Sequence, residues 1–454
     1  MQTLQQLRAV VDGPVVTPAD PGYDEARHVY NFMIDRRPAA VVTCRSAADV
    51  SAVVDYARES GTELAVRGGS HSVPGFGTAD GAVVVDLSGM RGIEVEVDNR
   101  LAHVQGGATL NELNAATGEF GLATPSGIIG STGVGGLTLG GGIGYLSRSH
   151  GLSVDNLQSA QVVTADGALC TASAEENPEL FWGLRGGGGN FGVVTEFTFR
   201  LHPVATVLAG PMFFELADGP AVFRHYRDLM RDAAREYGGF PLFNQAPPLP
   251  FMPEDRVGEP LCGVMHCWTG DEAEGAALID SFRNVATPVA EHVGTMPFAD
   301  VNALFDGLVP RGLQHYWKAA FVTELTDDAI DAHFIHGPGV PAMNSTMHIY
   351  PINGACHDVD PDDTAFGHRD ASYATVIAGM WPDPSDNEAN TAWVKGYYAA
   401  IAAHSEPGGY INFAASDDQA RVPDNFGTSY ARLRQVKRAY DPQNLFHLNQ
   451  NIVP

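Results

Sequence analysis

The segment Val66–Ser72 reads VRGGSHS and sets one histidine, His71, directly behind Gly68, Gly69 and Ser70. A glycine pair lets the backbone approach a ligand with no side chain in the way, and an imidazole at the edge of such a turn touches whatever lies there. Two further glycine-rich stretches follow: residues 125–144, PSGIIGSTGVGGLTLGGGIG, hold nine glycines in twenty positions, and residues 186–192 read GGGGNFG. That density predicts irregular backbone through 125–144, with no regular helix or strand. Three separated stretches of this kind suit one elongated ligand held along its length by backbone.

The charge balance agrees. Lys and Arg total 27 against 54 Asp and Glu, a formal charge of -27, which repels nucleic-acid phosphates and anionic membrane surfaces. A phosphate-bearing cofactor must then be held mainly by backbone N–H groups, because basic side chains are scarce. Neither Gly140, Gly142 and Gly144 nor the run Gly186 to Gly189 sits between a strand and a helix with an acidic residue about 20 positions on, as a Rossmann site requires. No glycine cluster ends in Lys followed by Ser or Thr, so the P-loop is absent too. Nicotinamide reduction ranks last among the functional readings.

The elements that hold these loops begin at Ala39, where β-branched runs alternate with a helix capped by Ser46 and ended by Gly61, a strand-helix-strand unit. Residues 92–98 and 101–107 pattern as paired strands, 109–122 as a helix, and 157–173 as a hairpin turning at Asp166-Gly167. Pro203 marks a domain edge; glycine clusters vanish between Ala205 and Ser405, where strands mix with helices such as residues 221–238. TSYARLRQVKRAYDP reads as an amphipathic helix closed by a proline, followed by an extended tail. The expected domains are 1–204, 205–405 and a C-terminal segment, 406–454, that returns to the first.

Taken in order, VRGGSHS, the 125–156 loop, GGGGNFGVVTEF and YDPQNLFHLNQNI resemble the FAD-linked oxidases of the vanillyl-alcohol-oxidase superfamily, in its berberine-bridge-enzyme-like branch. The likeness runs from about Arg36 to Pro203 and from about Tyr410 to the end. It implies an α+β fold: a PCMH-type FAD-binding domain of two α/β subdomains, plus a substrate domain whose antiparallel sheet is backed by helices. It also implies covalent FAD bonded through His71 at the flavin 8α-methyl. Relatives with a second tether carry a cysteine four residues before the G-V-G-G run; that run begins here at Gly133, the matching residue is Ile129, and a cysteinyl link is not expected.

The cofactor-binding set that the resemblance implies is His71 with Arg67, Gly68, Gly69, Ser70 and Ser72; Gly127, Thr132, Gly133, Gly136, Leu137, Gly140, Gly141 and Gly144; Val193 and Val194; Asn412 and Asn449. Thr132 falls where the family controls oxygen access to the flavin. The base of many relatives is the second tyrosine of Y-x-N-Y, but this chain reads Tyr410-Ile411-Asn412-Phe413, and Phe413 accepts no proton. Where others place an acid or amide on the strand after F-x-H-R, this chain has Val376. The remaining candidates are Tyr410 itself and polar residues on predicted strands: His315, Tyr316 and Lys318, and His348 with Tyr350, which alternation puts on one face.

The expected function is hydride transfer from a small alcohol, sugar or amine to FAD, with reoxidation by O2 to hydrogen peroxide. A natural-product oxygenase or cyclase of the same fold, or a flavin- or ligand-binding protein that has lost its base, are the rivals. The spacing of Cys262, His266, Cys267, Cys356 and His357 matches no standard zinc pattern, and DVDPDD at 358–363 lacks the order of a calcium loop, so no metal is expected. Five cysteines give no disulfide framework, and no apolar signal segment opens the chain, so the expected location is cytoplasmic, with no membrane or nucleic-acid partner. Nothing in the sequence speaks to oligomeric state.

Overall fold

The computed structural model describes residues 3–454. The first sheet joins β1 (Val15–Val16), β2 (Ala40–Thr43), β3 (Leu64–Arg67) and β4 (Val83–Asp86) in the order β1-β2-β4-β3. Helix α1 (Ala47–Ser60) makes the crossover between β2 and β3, and β4 pairs parallel to both. It starts as the sequence predicts: the Ser46 hydroxyl accepts from Asp49 N, and Gly61 closes the helix at φ 70°. Its Val50, Val53, Val54 and Ala57 are buried against Val83 and Val85. Strand β3 runs straight into the His71 loop.

A second, wholly antiparallel sheet contains β5 (Ile93–Glu96), β6 (Leu101–Gln105), β7 (Leu157–Val163), β8 (Leu169–Ser173) and β9 (Val193–Arg200), in the order β5-β6-β9-β7-β8. The β7–β8 hairpin turns at Asp166-Gly167, with Gly167 at φ 82°. Helix α2 (Leu110–Gly118) has a capping box between Thr109 and Glu112. One expectation fails here: the glycine-rich stretch contains a regular helix, α3 (Val134–Leu139). Gly135 and Gly136 sit inside it because one face comes close to backbone, where a Cβ on Gly135 would lie 3.2 Å from Gly106 O, while the other face is open. Tertiary packing overrides helix propensity in this turn and a half.

The large sheet is built from β10 (Thr206–Phe214), β11 (Phe240–Gln245), β12 (Pro260–Trp268), β13 (Gln314–Val322), β14 (Thr346–Pro351) and β15 (Tyr373–Trp381), in the order β10-β12-β11-β14-β15-β13, with short strands at the β10 edge. Every pairing in it is antiparallel. Helices α4 (Gly219–Asp232), α5 (Glu272–Arg283), α6 (Asp327–His336) and α7 (Asn387–Ile401) cover one face, burying Met212, Phe243, Val264, Met347, Ile349 and Ile377. The helix expected over 221–238 thus stops at Asp232. Alternation sends the other residues of each strand, among them Phe213, Leu242, Tyr350 and Val376, to the opposite face, against Ile128, Tyr410 and Phe366. The C-terminal helix α8 (Tyr430–Tyr440) packs Leu433 and Val436 into the core of the second sheet with Phe181, Trp182 and Phe191. The α+β architecture is the one the resemblance implies. No helix among the described residues is long and apolar enough to cross a membrane.

Candidate active site

Between the glycine loops and the bare face of the large sheet lies one cavity of about 370 Å³, within the ~300–1,000 Å³ range of small-molecule sites. His71 lines it. Its position is set by backbone: Ser70 adopts φ 63°, unusual for a residue with a side chain, and its carbonyl is held by Tyr30 N at 3.1 Å. The His71 ring stacks on Tyr30 with centroids 3.7 Å apart, and its Nε2 meets Ser131 Oγ at 3.0 Å. Burial, and secondarily His315, push the His71 pKa down to about 3, so the imidazole is neutral at pH 7.

The loop of Gly68 and Gly69 meets the 127–136 loop backbone to backbone. Gly68, Gly69, Ser70, Ser72, Gly127, Thr132, Gly133, Gly136, Leu137, Val193, Val194, Asn412 and Asn449 all line the cavity. A Cβ on Gly136 or on Gly189 would meet nothing within 4 Å, which leaves both backbones open to a ligand. Asn449 Oδ1 and both polar side-chain atoms of Gln450 are buried on the same wall without a hydrogen-bond partner among the described residues. Buried polar atoms left over in this way call for a polar ligand. Asn449 is itself fixed, its Nδ2 donating to Gly189 O and Phe446 O at 3.0 Å.

Four expected cofactor contacts are placed otherwise. The Arg67 guanidinium turns away from the ligand side, donating to Asp86 Oδ2 at 2.8 Å and to Ala26 O at 2.5 Å, so Arg67 offers the cavity backbone rather than charge. Gly140, Gly141 and Gly144 lie behind the cavity wall: a Cβ would strike Asn412 Oδ1 at 2.2 Å, the Phe366 ring at 3.0 Å and Ser126 O at 1.7 Å respectively. Their role is packing.

The catalytic candidates separate by strand parity. Tyr316 and Lys318 point to the helix-covered side of β13, where Lys318 Nζ bonds Asp417 and Asp418 at 2.8 and 2.7 Å and Tyr316 Oη donates to Asp417 at 2.7 Å. Lys318 is therefore a latch behind the sheet and is withdrawn from the set of bases. Its neighbour Trp317 lines the cavity instead. His348 and Tyr350 share the cavity face, His348 Nδ1 and Tyr350 Oη being 2.6 Å apart. In register beside His348 stand Leu242 on β11 and Val376 on β15, an apolar row across the sheet. Burial lowers the His348 pKa to about 3 and raises that of Tyr350, so both are neutral. The Tyr410 hydroxyl accepts from Gly142 N and Asn412 Nδ2, each at 2.8 Å, which fixes it between two loops. Burial lifts its pKa to about 12. Phe413 packs 4.9 Å from the Tyr410 ring and 6.0 Å from that of Tyr350. Thr132 holds the loop through its carbonyl, which accepts from Leu110 N at 2.9 Å.

The weaker sequence signals fall elsewhere. Cys267 lies on the opposite sheet face from Cys262, and His266 Nδ1 pairs with Tyr237 Oη at 2.9 Å. Sequence reasoning missed Tyr30, Ser131, Trp317 and Gln450. Alternation from His315 could have found Trp317; Tyr30 lies in an unpatterned strap, where no local signal marks it.

Comparison with known proteins places this arrangement. A family model described as "FAD binding domain" matches residues 38–173, and one described as "Berberine and berberine like" matches residues 409–453. The chain is 31% identical to an uncharacterized FAD-linked oxidoreductase, YgaK, of Bacillus subtilis, over 97% of each chain. It is 30% identical to (R)-6-hydroxynicotine oxidase of Paenarthrobacter nicotinovorans, covering 98% of this chain and 97% of that one. The crystal structure of 6-hydroxy-D-nicotine oxidase from Arthrobacter nicotinovorans superposes with a TM-score of 0.87 at 27% identity, covering 98% of both chains.

Proposed function

The chain belongs to the berberine-bridge-enzyme-like FAD-linked oxidoreductases, and from that premise we propose that it is an oxidase of a small, uncharged, largely apolar substrate that reacts as a neutral amine. The carrying observation is electrostatic. Among the described residues that line the cavity, Arg67 alone is permanently charged, and its guanidinium is spent on Asp86. The walls formed by the sheet include Phe213, Leu242, Trp317, Val376, Ala378 and Met380, with Asn244 and Thr346 as uncharged polar residues and His348 and Tyr350 neutral. A charged group entering such a site loses its hydration without a partner, so the neutral form of a substrate is favoured.

The glycine loops, the open backbone at Gly136 and Gly189 and the unpartnered atoms of Asn449 and Gln450 fit FAD, with His71 as its single covalent anchor and Ile129 leaving no second one. Bound FAD supplies the two-electron acceptor, returned to its oxidised state by O2 with release of hydrogen peroxide. The chain's own residues orient the substrate, exclude water and handle the proton. Any proton leaving the substrate goes to the His348 imidazole in either tautomer. If Nδ1 carries the lone pair, Tyr350 takes the proton at Oη and passes its own to Nδ1; if Nδ1 is protonated, Nε2 accepts directly. An imidazole whose pKa lies near 3 is a feeble base. Alcohol oxidation, which needs the hydroxyl proton removed, is therefore disfavoured relative to amine oxidation from the neutral form. The (R)-6-hydroxynicotine oxidase among the relatives supports the same reading.

The test is anaerobic bleaching of the flavin by a panel of cyclic amines, benzylic alcohols and oligosaccharides between pH 6 and 10. Rates that rise with pH along each amine's own ionisation, with peroxide formed in proportion in air, support the proposal. Bleaching by oligosaccharides but not amines replaces it with a sugar oxidase.

A further inference from the structure

Register in the large sheet lines up two rows of side chains on the cavity face. The first, through Leu242, His348 and Val376, holds the proton-handling imidazole. The second crosses Asn244 on β11, Thr346 on β14, Ala378 on β15 and Trp317 on β13, and all four line the cavity. It lies two residues further along each strand, about 7 Å from the first, on the side of His348 away from Tyr350. No step of the reaction above uses it, yet its polar atoms are unspent. Asn244 Oδ1 and Trp317 Nε1 are both buried without a hydrogen-bond partner among the described residues. Thr346 Oγ1 donates its proton to Phe243 O at 2.9 Å and keeps its lone pairs. The indole is fixed by edge contacts with His315 and Phe413, at centroid distances of 5.7 and 5.9 Å, and only the short side chain of Ala378 stands in the row between it and Thr346.

We propose that the second row is a recognition subsite for an uncharged amide carried by the substrate, one pleat repeat from the end at which His348 handles the proton. The inference rests on the neutral-substrate reading above. A donor and an acceptor left unpaired in a buried wall each cost free energy, and a ligand that pairs both recovers it. Asn244 presents both an acceptor and a donor whichever way its amide is turned, whereas Trp317 only donates. A substrate amide matches the two: its carbonyl accepts from Trp317 Nε1 while its N–H donates to Asn244 Oδ1. The lone pairs of Thr346 offer that N–H a second acceptor. A ketone pairs with the donors alone. A carboxylate also accepts from the indole, but it brings a charge that no free cation in the cavity wall compensates, since Arg67 is spent on Asp86.

The experiment measures binding to the full FAD-loaded chain by isothermal titration calorimetry, with four probes of one shape: 4-methylbenzamide, 4-methylacetophenone, 4-isopropyltoluene and 4-methylbenzoate. The amide donates and accepts, the ketone only accepts, the hydrocarbon does neither, and the benzoate is charged. The expected order is amide over ketone over hydrocarbon, with about threefold to tenfold in Kd for each hydrogen bond gained, and benzoate weaker than the amide. Asn244→Leu should erase the step between amide and ketone. Trp317→Phe, which keeps an aromatic ring against His315 and Phe413, should erase the step between ketone and hydrocarbon. Equal affinities for the uncharged probes, no binding by any of them, or an amide preference that survives both substitutions overturns the proposal. If either variant does not fold, the order of the four probes on the wild-type protein decides. Because no probe carries an amine, the outcome is separate from the bleaching test: an amide preference in a protein whose flavin no amine bleaches keeps the subsite and removes the amine reading, whereas benzoate binding tightest removes the subsite and the neutral-substrate reading together.

Discussion

Gly69 and Gly133 touch backbone to backbone: a Cβ on Gly69 would lie 2.3 Å from Gly133 N, and one on Gly133 would lie 2.4 Å from Gly69 N. This reciprocal contact joins the loop that carries His71 to the loop that carries Ser131 and Thr132. Only residues without side chains allow it.

Gly133 and Gly136 therefore respond differently to the same substitution. Gly133→Ala forces the loops apart and is expected to destabilise the fold by about 1–3 kcal/mol, as overpacking does. Gly136→Ala adds a methyl group to a helical residue with nothing within 4 Å. The apoprotein should be unchanged or up to about 1 kcal/mol more stable, yet it should fail to take up FAD because that space belongs to the ligand. Thermal melts and the 450 nm absorbance of purified protein separate the two effects.

Tyr350→Phe removes the hydroxyl 2.6 Å from His348 Nδ1 while keeping the ring. Where Tyr350 Oη relays the proton to Nδ1, stopped-flow flavin reduction should slow about 10²-fold for an alcohol that needs proton removal, and by less than about tenfold for a neutral amine, which does not depend on that base; a small loss for the alcohol as well would assign the proton to Nε2 directly. Equal losses for both substrates would mean that the pair acts on binding rather than on the proton.

Lys318→Met leaves Asp418, a buried carboxylate, without its principal cation. Breaking a buried pair of this kind costs about 3–5 kcal/mol. The expectation is a large fall in unfolding free energy, with the flavin reduction rate of the folded fraction close to wild type, because Lys318 lies behind the sheet. A selective loss of reduction rate without loss of stability would return Lys318 to the catalytic set.

Stability should fall in mild acid. Burial depresses the pKa of His266 and of His333 to about 3 from an ordinary value of 6.5, so between these limits the unfolded chain binds protons that the folded chain refuses. The stability that comes with the neutral rings is fully present above pH 6.5 and is lost as pH falls toward 3. Each ring contributes a slope of about 1.4 kcal/mol per pH unit inside that window. Urea unfolding at pH 7.5, 6.0 and 5.0 checks this; a flat profile would contradict the burial of both rings.

The sequence reveals the cofactor half of the site more readily than the substrate half, for a physical reason. Close backbone approach demands glycine, and glycine density survives in sequence as a visible cluster, so His71, Gly68, Gly69, Gly133 and Gly136 can be read directly. The same cue misleads at Gly140, Gly141 and Gly144, where the close approach is to Asn412, Phe366 and Ser126 rather than to a ligand. On the large sheet, period-two alternation correctly pairs His348 with Tyr350. It also separates Lys318 from Trp317, but which parity faces the cavity depends on the helices that cover the other side. Tyr30 and Ser131 carry no pattern at all: their meaning comes from contacts with residues 41 to 279 positions distant.

The proposed function requires that FAD lie against these loops and be bonded to His71. Intact mass and absorbance of acid-precipitated protein test it most directly. A yellow pellet whose polypeptide is heavier by one FAD, reverting to the bare mass in His71→Ala, is the predicted result. A colourless pellet under a yellow supernatant, with the polypeptide at its bare mass, would contradict the bond.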